Sequence, residues 1–186
     1  MPTAIVAFAV PMSQDAFAAT ELENGSFEQG RYAWAPYSTA GSSATSSIIN
    51  NNSAANLPHY GSWKARLGGR GIAGVDRVTQ SFHLGPDNIP VLKFSAHITP
   101  PAPQDDYREF NVIIWKEDGT PYTLLTRTNK DSGRGYEDYE VTFPQALWFG
   151  RTHPLKLEFQ VISTGRTQPV LVDDVAVVYK VPSATT

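Results

Sequence analysis

Two acidic stretches near opposite ends of the 186-residue sequence are where chemistry could begin. "ELENGSFEQG" (Glu21 to Gly30) sets an Asn-Gly turn, a serine, a lone aromatic at Phe27 and a carboxylate at Glu28 within ten residues. "VLVDDVAVV" places Asp173 and Asp174 inside an otherwise apolar run. Aspartate is depleted in strands, and a carboxylate buried without a partner is costly. An acid pair in such a run therefore points to a site that compensates it. The plainer alternatives are an exposed strand-end acid for Glu28 and a loop cap for Asp173. Side chains alternate along a strand, so only one of Asp173 and Asp174 is expected to point inward.

A second set of residues suits a different chemistry. In "YREFNVIIWK", Phe110, Val112 and Ile114 share one face, while Tyr107, Glu109, Asn111, Ile113 and Trp115 share the other. Aromatic rings cover the apolar side of a pyranose, and carboxylates, amides and guanidinium groups bond its hydroxyls. Tyr122 and Arg127, across the Asp118-Gly119 turn, extend this candidate platform. The competing reading is packing, because Trp and Tyr often cap a small core under a long loop. Trp34 is assigned to the core, and Trp148 to a plug at one end of the fold.

Other chemistries lack their residues. There is no cysteine, which removes disulfides, thiolate catalysis and Cys-ligated zinc. The histidines His59, His83, His97 and His153 lie far apart, with no H-E-x-x-H spacing. No G-x-S-x-G elbow occurs, and "GGRGIAG" lacks the Gly-Lys-Ser/Thr of a phosphate loop. The acid pairs Asp105-Asp106 and Glu137-Asp138 have no reason to converge around a scissile bond. The expectation is a protein that is not an enzyme.

The elements that must carry these residues read as strands. "SWKARL", "RVTQSFHL", "VLKFSAHI" and "LKLEFQVI" alternate apolar and polar residues with period two. Gly85-Pro86-Asp87-Asn88, Pro100-Pro101-Ala102-Pro103, Asp118-Gly119, Asp131-Ser132-Gly133 and Thr164-Gly165 punctuate them as turns. "WKEDGTPY" reads as a hairpin. "PQALWFG" holds at most one helical turn, and the polar stretch from Ser38 to Asn56 reads as a long loop or weak edge strand. The pattern predicts an all-β, antiparallel sandwich or barrel.

Composition bounds the partners. With 41% hydrophobic residues and a net charge of −3, the chain reads as globular, with no footprint for nucleic acid or an anionic membrane. The apolar run from Ala4 to Val10, followed by Ala16-Phe17-Ala18, resembles the second half of a secretory signal without its basic region. The run is too short to span a bilayer. The expected organisation is a truncated signal or disordered segment over 1–19, a sandwich over 20–181 and a tail over 182–186, with a secreted or periplasmic location.

"NGSFEQG…W", "GSWKARLGG", "VTQSFHL", "FPQALWFGRTHPLKLEF" and "VLVDDVAVV", in that order, resemble the calcium-carrying carbohydrate-binding modules (families 4, 9 and 22) of the galactose-binding-domain-like superfamily. The likeness runs from Glu21 to Tyr179 and implies a jelly-roll β-sandwich. It also implies a structural calcium held by Ser26, Glu28, Trp63 and Asp173, through two carboxylates and the carbonyls of a turn and a strand. Relatives often carry a further acid just before "GS", where this chain has His59-Tyr60, which implies weaker binding or a water in that place. The function implied is non-catalytic binding of a polysaccharide or oligosaccharide on an exposed sheet face. A structural or adhesion domain using the same fold for protein contacts is the alternative, since fold alone does not carry function.

Overall fold

The structure is a computed structural model describing residues 22–51, 56–85, 88–100, 108–149, 153–165 and 168–180. The signal-like segment, the C-terminal tail and Tyr107 lie outside the described residues. In chain order the strands are β1 (Ala35–Ser38), β2 (Ile49–Asn50), β3 (Lys64–Gly68), β4 (Gly74–Phe82), β5 (Ile89–Ile98), β6 (Arg108–Trp115), β7 (Pro121–Thr128), β8 (Glu137–Thr142), β9 (Leu155–Ser163) and β10 (Pro169–Lys180). The short helices α1 (Ser42–Ser46) and α2 (Gln145–Trp148) complete the regular structure, with one 3-10 turn at Asn129–Asp131.

Two five-stranded antiparallel sheets face each other as a jelly-roll β-sandwich, in the orders β1-β4-β9-β6-β7 and β2-β3-β10-β5-β8. The alternation read from the sequence assigns the faces correctly. Leu155, Leu157, Phe159 and Val161 of β9 meet Phe94, Ala96 and Ile98 of β5 in one core, joined by Phe110, Val112 and Ile114 of β6. At its centre Phe159 lies edge-on to Phe94, ring centroids 5.2 Å apart, and stacks on Phe110 at 6.2 Å. Trp34 closes the same cluster, 4% exposed and 5.0 Å from the Phe27 ring, as expected of a core residue. Trp148 packs against one end of this core, its indole N–H donating to the Phe143 carbonyl.

Two expectations are refined. The polar stretch after Ser38 is neither all loop nor all strand, since it forms α1 and then β2, an edge strand paired to β3. The acid pair of β10 does not obey simple alternation. A β-bulge shifts the register between Asp173 and Ala176, and Asp174 takes a left-handed backbone with φ 51°. Two residues instead of one therefore separate the core-facing Val172 and Val175, and neither aspartate joins the core between the sheets.

Candidate functional site

The turns between Asn24 and Trp34 are knitted by one asparagine. The Asn24 side-chain amide donates to the carbonyls of Gly30 and Tyr32, its oxygen accepts from the Gln29 N–H, and its own carbonyl accepts from the Trp34 indole. This network holds Phe27 in the core despite a left-handed φ of 59°, a conformation a bulky residue rarely adopts. The Val175 N–H then donates to the Gly25 carbonyl at 2.9 Å, joining the N-terminal turn to the last strand. A Cβ at Gly25 would fall 1.7 Å from the Val175 carbonyl oxygen, so the approach needs glycine.

Glu28 and Asp173 grip the two halves of one segment, His59 to Trp63. Glu28 Oε1 accepts the backbone N–H groups of Ser62 and Trp63, both at 2.8 Å. Asp173 Oδ2 accepts from His59 at 2.9 Å and Tyr60 at 3.4 Å, while its Oδ1 accepts from Asp174. Gly61 sits between the two grips with φ +69°, and a Cβ there would meet Glu28 Oε1 at 2.4 Å. His59 also pairs with Asp174 at 2.8 Å. Asp173 is wholly buried and takes part in no ion pair among the described residues. Burial pushes its carboxyl up to about 7, aided by the neighbouring Asp174 charge and opposed by the three amide hydrogen bonds. The buried Lys64, one strand away, is held below its usual range by burial and by Arg66, against the pull of Asp173.

Oxygen-only donors and a buried, unpaired carboxylate fit the chemistry of a hard divalent cation. Ser26 is exposed on the turn beside Glu28, and Trp63 packs partly into the core with its ring under Gly30. Among the described residues no three His, Cys, Asp or Glu side chains converge, so carbonyl oxygens would have to complete any such shell.

The second site lies on the outer face of the β1-β4-β9-β6-β7 sheet. Directly paired residues share a face, and the register lays out three rows across the strands. One row runs Tyr37, Arg77, Gln160, Asn111, Thr126; the next runs Thr79, Glu158, Ile113, Thr123; the third runs Ser81, Lys156, Trp115, Pro121. Glu158 is at the centre, 1% exposed, although it is a carboxylate on a sheet's outer face. Its Oε2 accepts the Trp115 indole N–H at 3.1 Å and its Oε1 accepts the Gln160 amide at 3.0 Å, with Arg77 4.0 Å away. Around this anchor, Arg77 lies over the Tyr37 ring at 4.3 Å and the Lys156 ammonium over the Trp115 ring at 5.2 Å. Asn111, by contrast, is an internal brace: its amide donates to Glu109 and its oxygen accepts from Thr126.

Two shallow depressions meet on this face. One of about 270 Å³ borders Trp115, Lys156 and Ser81, and another of about 500 Å³ borders Ser81, Thr79, Ala35 and Glu23. They share Ser81, which makes a trough running from β6 across β9 and β4 towards β1. A larger hollow of about 630 Å³ marks the outer face of the other sheet. Its acids are already engaged: Asp138 by Ser95, Glu140 by Lys93 and Lys180, and Asp174 by His59. That hollow also carries the rings of Tyr60 and Tyr139; what sets the trough apart is the pair of cations, Arg77 and Lys156, standing over aromatic rings on the same face.

Of the residues expected on the platform, Glu109, Asn111 and Trp115 do share it. Tyr122 and Arg127 do not. Their register partners are Ile114 and Phe110, both core-facing, so the two line the inner edge of the sandwich, where Arg127 lies 5.7 Å from the centre of the Tyr139 ring on the other sheet. Tyr37, Arg77, Lys156, Glu158 and Gln160 were missed as site residues. Their signal was present for β9, whose polar face was legible as Lys156, Glu158 and Gln160, but nothing local marks that face as the one beside β6.

No protein-family model matches the sequence. No curated protein resembles it in sequence. Solved structures do share its fold. TmCBM61, determined with β-1,4-galactotriose, superposes with a TM-score of 0.60 at 13% identity, over 88% of this chain and 100% of that one. The Stig cyclase Fisc from Fischerella sp. TAU, in complex with a pyrrolidinylidene-indole, gives 0.59 at 14% identity, over 89% and 98%. The enzymatically active domain of a bacteriophage CBA120 tailspike protein gives 0.55 at 14% identity, over 86% of this chain and 21% of that one. At these identities the likeness establishes the fold, and the fold expected from the sequence is the one found.

Proposed function

We propose that the chain is a carbohydrate-binding module that grips a polysaccharide along the trough on the outer face of the β1-β4-β9-β6-β7 sheet, without catalysing its turnover. The observation that carries this reading is the buried Glu158, which fixes the Trp115 ring and the Gln160 amide as a rigid, partly exposed set. A glycan site needs aromatic faces for the apolar side of a sugar and pre-placed polar groups for its hydroxyls. Holding those groups in position before binding lowers the ordering cost of association. The shared fold with a module solved on a galactose oligomer supports the reading at the level of scaffold.

The N-terminal turn and the last strand are, in this reading, tied by a calcium ion held by the carboxylates of Glu28 and Asp173 and the carbonyls of Ser26 and Trp63. The ion would supply positive charge to a carboxylate otherwise met by backbone amides alone. The chain is read as exported, where both calcium and polysaccharide are found together.

Calorimetric titration against a panel of plant, algal and bacterial polysaccharides tests the main proposal. Binding by the native chain, with at least about a tenfold loss in Trp115→Ala, is expected, in line with the cost of removing a central aromatic anchor. Silence across the whole panel would remove the reading. Turnover of any polymer by the pure protein would overturn its non-catalytic part.

A further inference from the structure

We infer that the glycan bound by this face is an acidic one, its carboxylate or sulfate groups met by Arg77 and Lys156. The inference rests on the polysaccharide reading above and narrows its ligand class.

The charges of the platform are sorted by depth. Glu158 is buried, and both its oxygens are occupied by the Trp115 indole and the Gln160 amide. Glu109 holds the Asn111 amide. Arg77, 4.0 Å from Glu158 at its inner side, and Lys156 remain open to solvent, the Arg77 side chain 39% exposed and Lys156 exposed on β9. A ligand settling on the rows between Tyr37 and Trp115 therefore meets two cations and a carboxylate already turned in, while the acids at the two ends of the trough are Glu117, paired with His153, and Glu23 beside the N-terminal turn. This local balance runs against the chain's overall charge of −3, so it does not follow from composition.

Each cation also stands on an aromatic ring. Arg77 lies over Tyr37 and Lys156 over Trp115. A neutral sugar seated on those rings displaces the cations and offers them only uncharged hydroxyls in exchange. An acidic sugar takes the ring and keeps the cation paired. The planar guanidinium over Tyr37 carries a fork of N–H groups suited to two-pronged bonds with a carboxylate or sulfate. Arg77 pairs with Gln160 and Ser81 with Lys156, so the two cations are four residues apart along neighbouring strands, roughly 13 Å at the usual strand rise. They would engage separate acidic units of an extended polymer, not one group together.

The test is calorimetric titration of the full chain with three polymers: a polyuronate, the neutral polymer made by reducing its carboxyl groups, and a sulfated galactan. At low salt at least one acidic polymer should bind about tenfold or more tightly than the neutral one, and the gap should close at high salt, because exposed charges are screened. Stronger binding of the polyuronate assigns carboxylate, and stronger binding of the galactan assigns sulfate. The double variant Arg77→Gln, Lys156→Gln should bind acidic and neutral polymers alike, with circular dichroism checking that it folds. A preference that persists in that variant overturns the assignment to these two residues. Equal or tighter binding of the neutral polymer overturns the acidic ligand and leaves the polysaccharide reading intact. No binding of any of the three overturns the acidic ligand, and silence across the wider panel is what would also remove the polysaccharide reading.

Discussion

Glu158 on the outer face of a sheet is held by three neighbours that themselves face solvent, and it fixes their positions in return. Replacing it with alanine leaves the Trp115 indole and the Gln160 amide without their acceptor and opens a gap beneath them. The expected result for Glu158→Ala is a loss of stability of about 1–3 kcal/mol, the usual cost of stranding buried polar partners, together with a marked loss of glycan affinity. Chemical denaturation and calorimetry read the two effects separately, and an unchanged affinity would show that Glu158 positions nothing the ligand uses. Gly25→Ala is a different kind of test. Its Cβ would fall on the Val175 carbonyl, so the junction between the first turn and β10 must open, at a cost of several kcal/mol. A melting temperature close to the parent's would contradict that packing. At this scale the sequence was partly legible. Phe27, Trp34 and the acids were visible from residue type and surroundings, whereas Asn24, which organises the turn, reads locally as nothing more than half of an Asn-Gly pair.

Between residues and fold, the segment His59 to Trp63 is the informative element. It carries four of the five amide hydrogen bonds that Glu28 and Asp173 accept, which makes it the link between the N-terminal turn and the last strand. Asp173→Asn keeps the shape but turns one acceptor into a donor that faces backbone N–H groups. Loss of about 1–3 kcal/mol is expected, with faster amide exchange concentrated at His59 and Tyr60. Exchange that rises uniformly across both sheets would argue against a local tie. The strands themselves were readable from period two, but two irregularities were not. The bulge between Val112 and Ile113 shifts the β6-β7 register, so that Tyr122 and Arg127, which simple alternation would place on opposite faces, both pair with core-facing residues. The bulge after Asp173 breaks the alternation of the acid pair. Bulges arise where twist and neighbouring strands demand an extra residue, and no local pattern announces them.

Across the described residues, two sheets close around one aromatic core, with the turn at Asn24 to Gly30 meeting the last strand and the trough lying on the outside of one sheet. Among the described residues no helix is long and apolar enough to cross a membrane. If calcium joins the two ends, it stabilises the native state by mass action. A chelator should then lower the melting temperature of the native chain, and Asp173→Asn should show little further response to it. Indifference of the native chain to chelator would leave the amide hydrogen bonds as the whole of the tie. The architecture was the most legible level, because many short alternating runs with turns between them allow few other folds. The make-up of the proposed binding face was the least legible, since it depends on β9 lying between β4 and β6, a neighbourhood set by topology and not by adjacency in sequence.

The central claim is a location: the glycan lies along β4, β9 and β6 on their outer side. An NMR titration of the labelled chain with a soluble oligosaccharide from a polymer it binds reads that location directly. Shifts confined to the amides around Arg77 to Ser81, Lys156 to Gln160 and Glu109 to Trp115, together with the Trp115 indole N–H, are the predicted result. Shifts clustered instead around His59, Lys93, Asp138 and Glu140 would place the ligand on the opposite sheet and contradict the account.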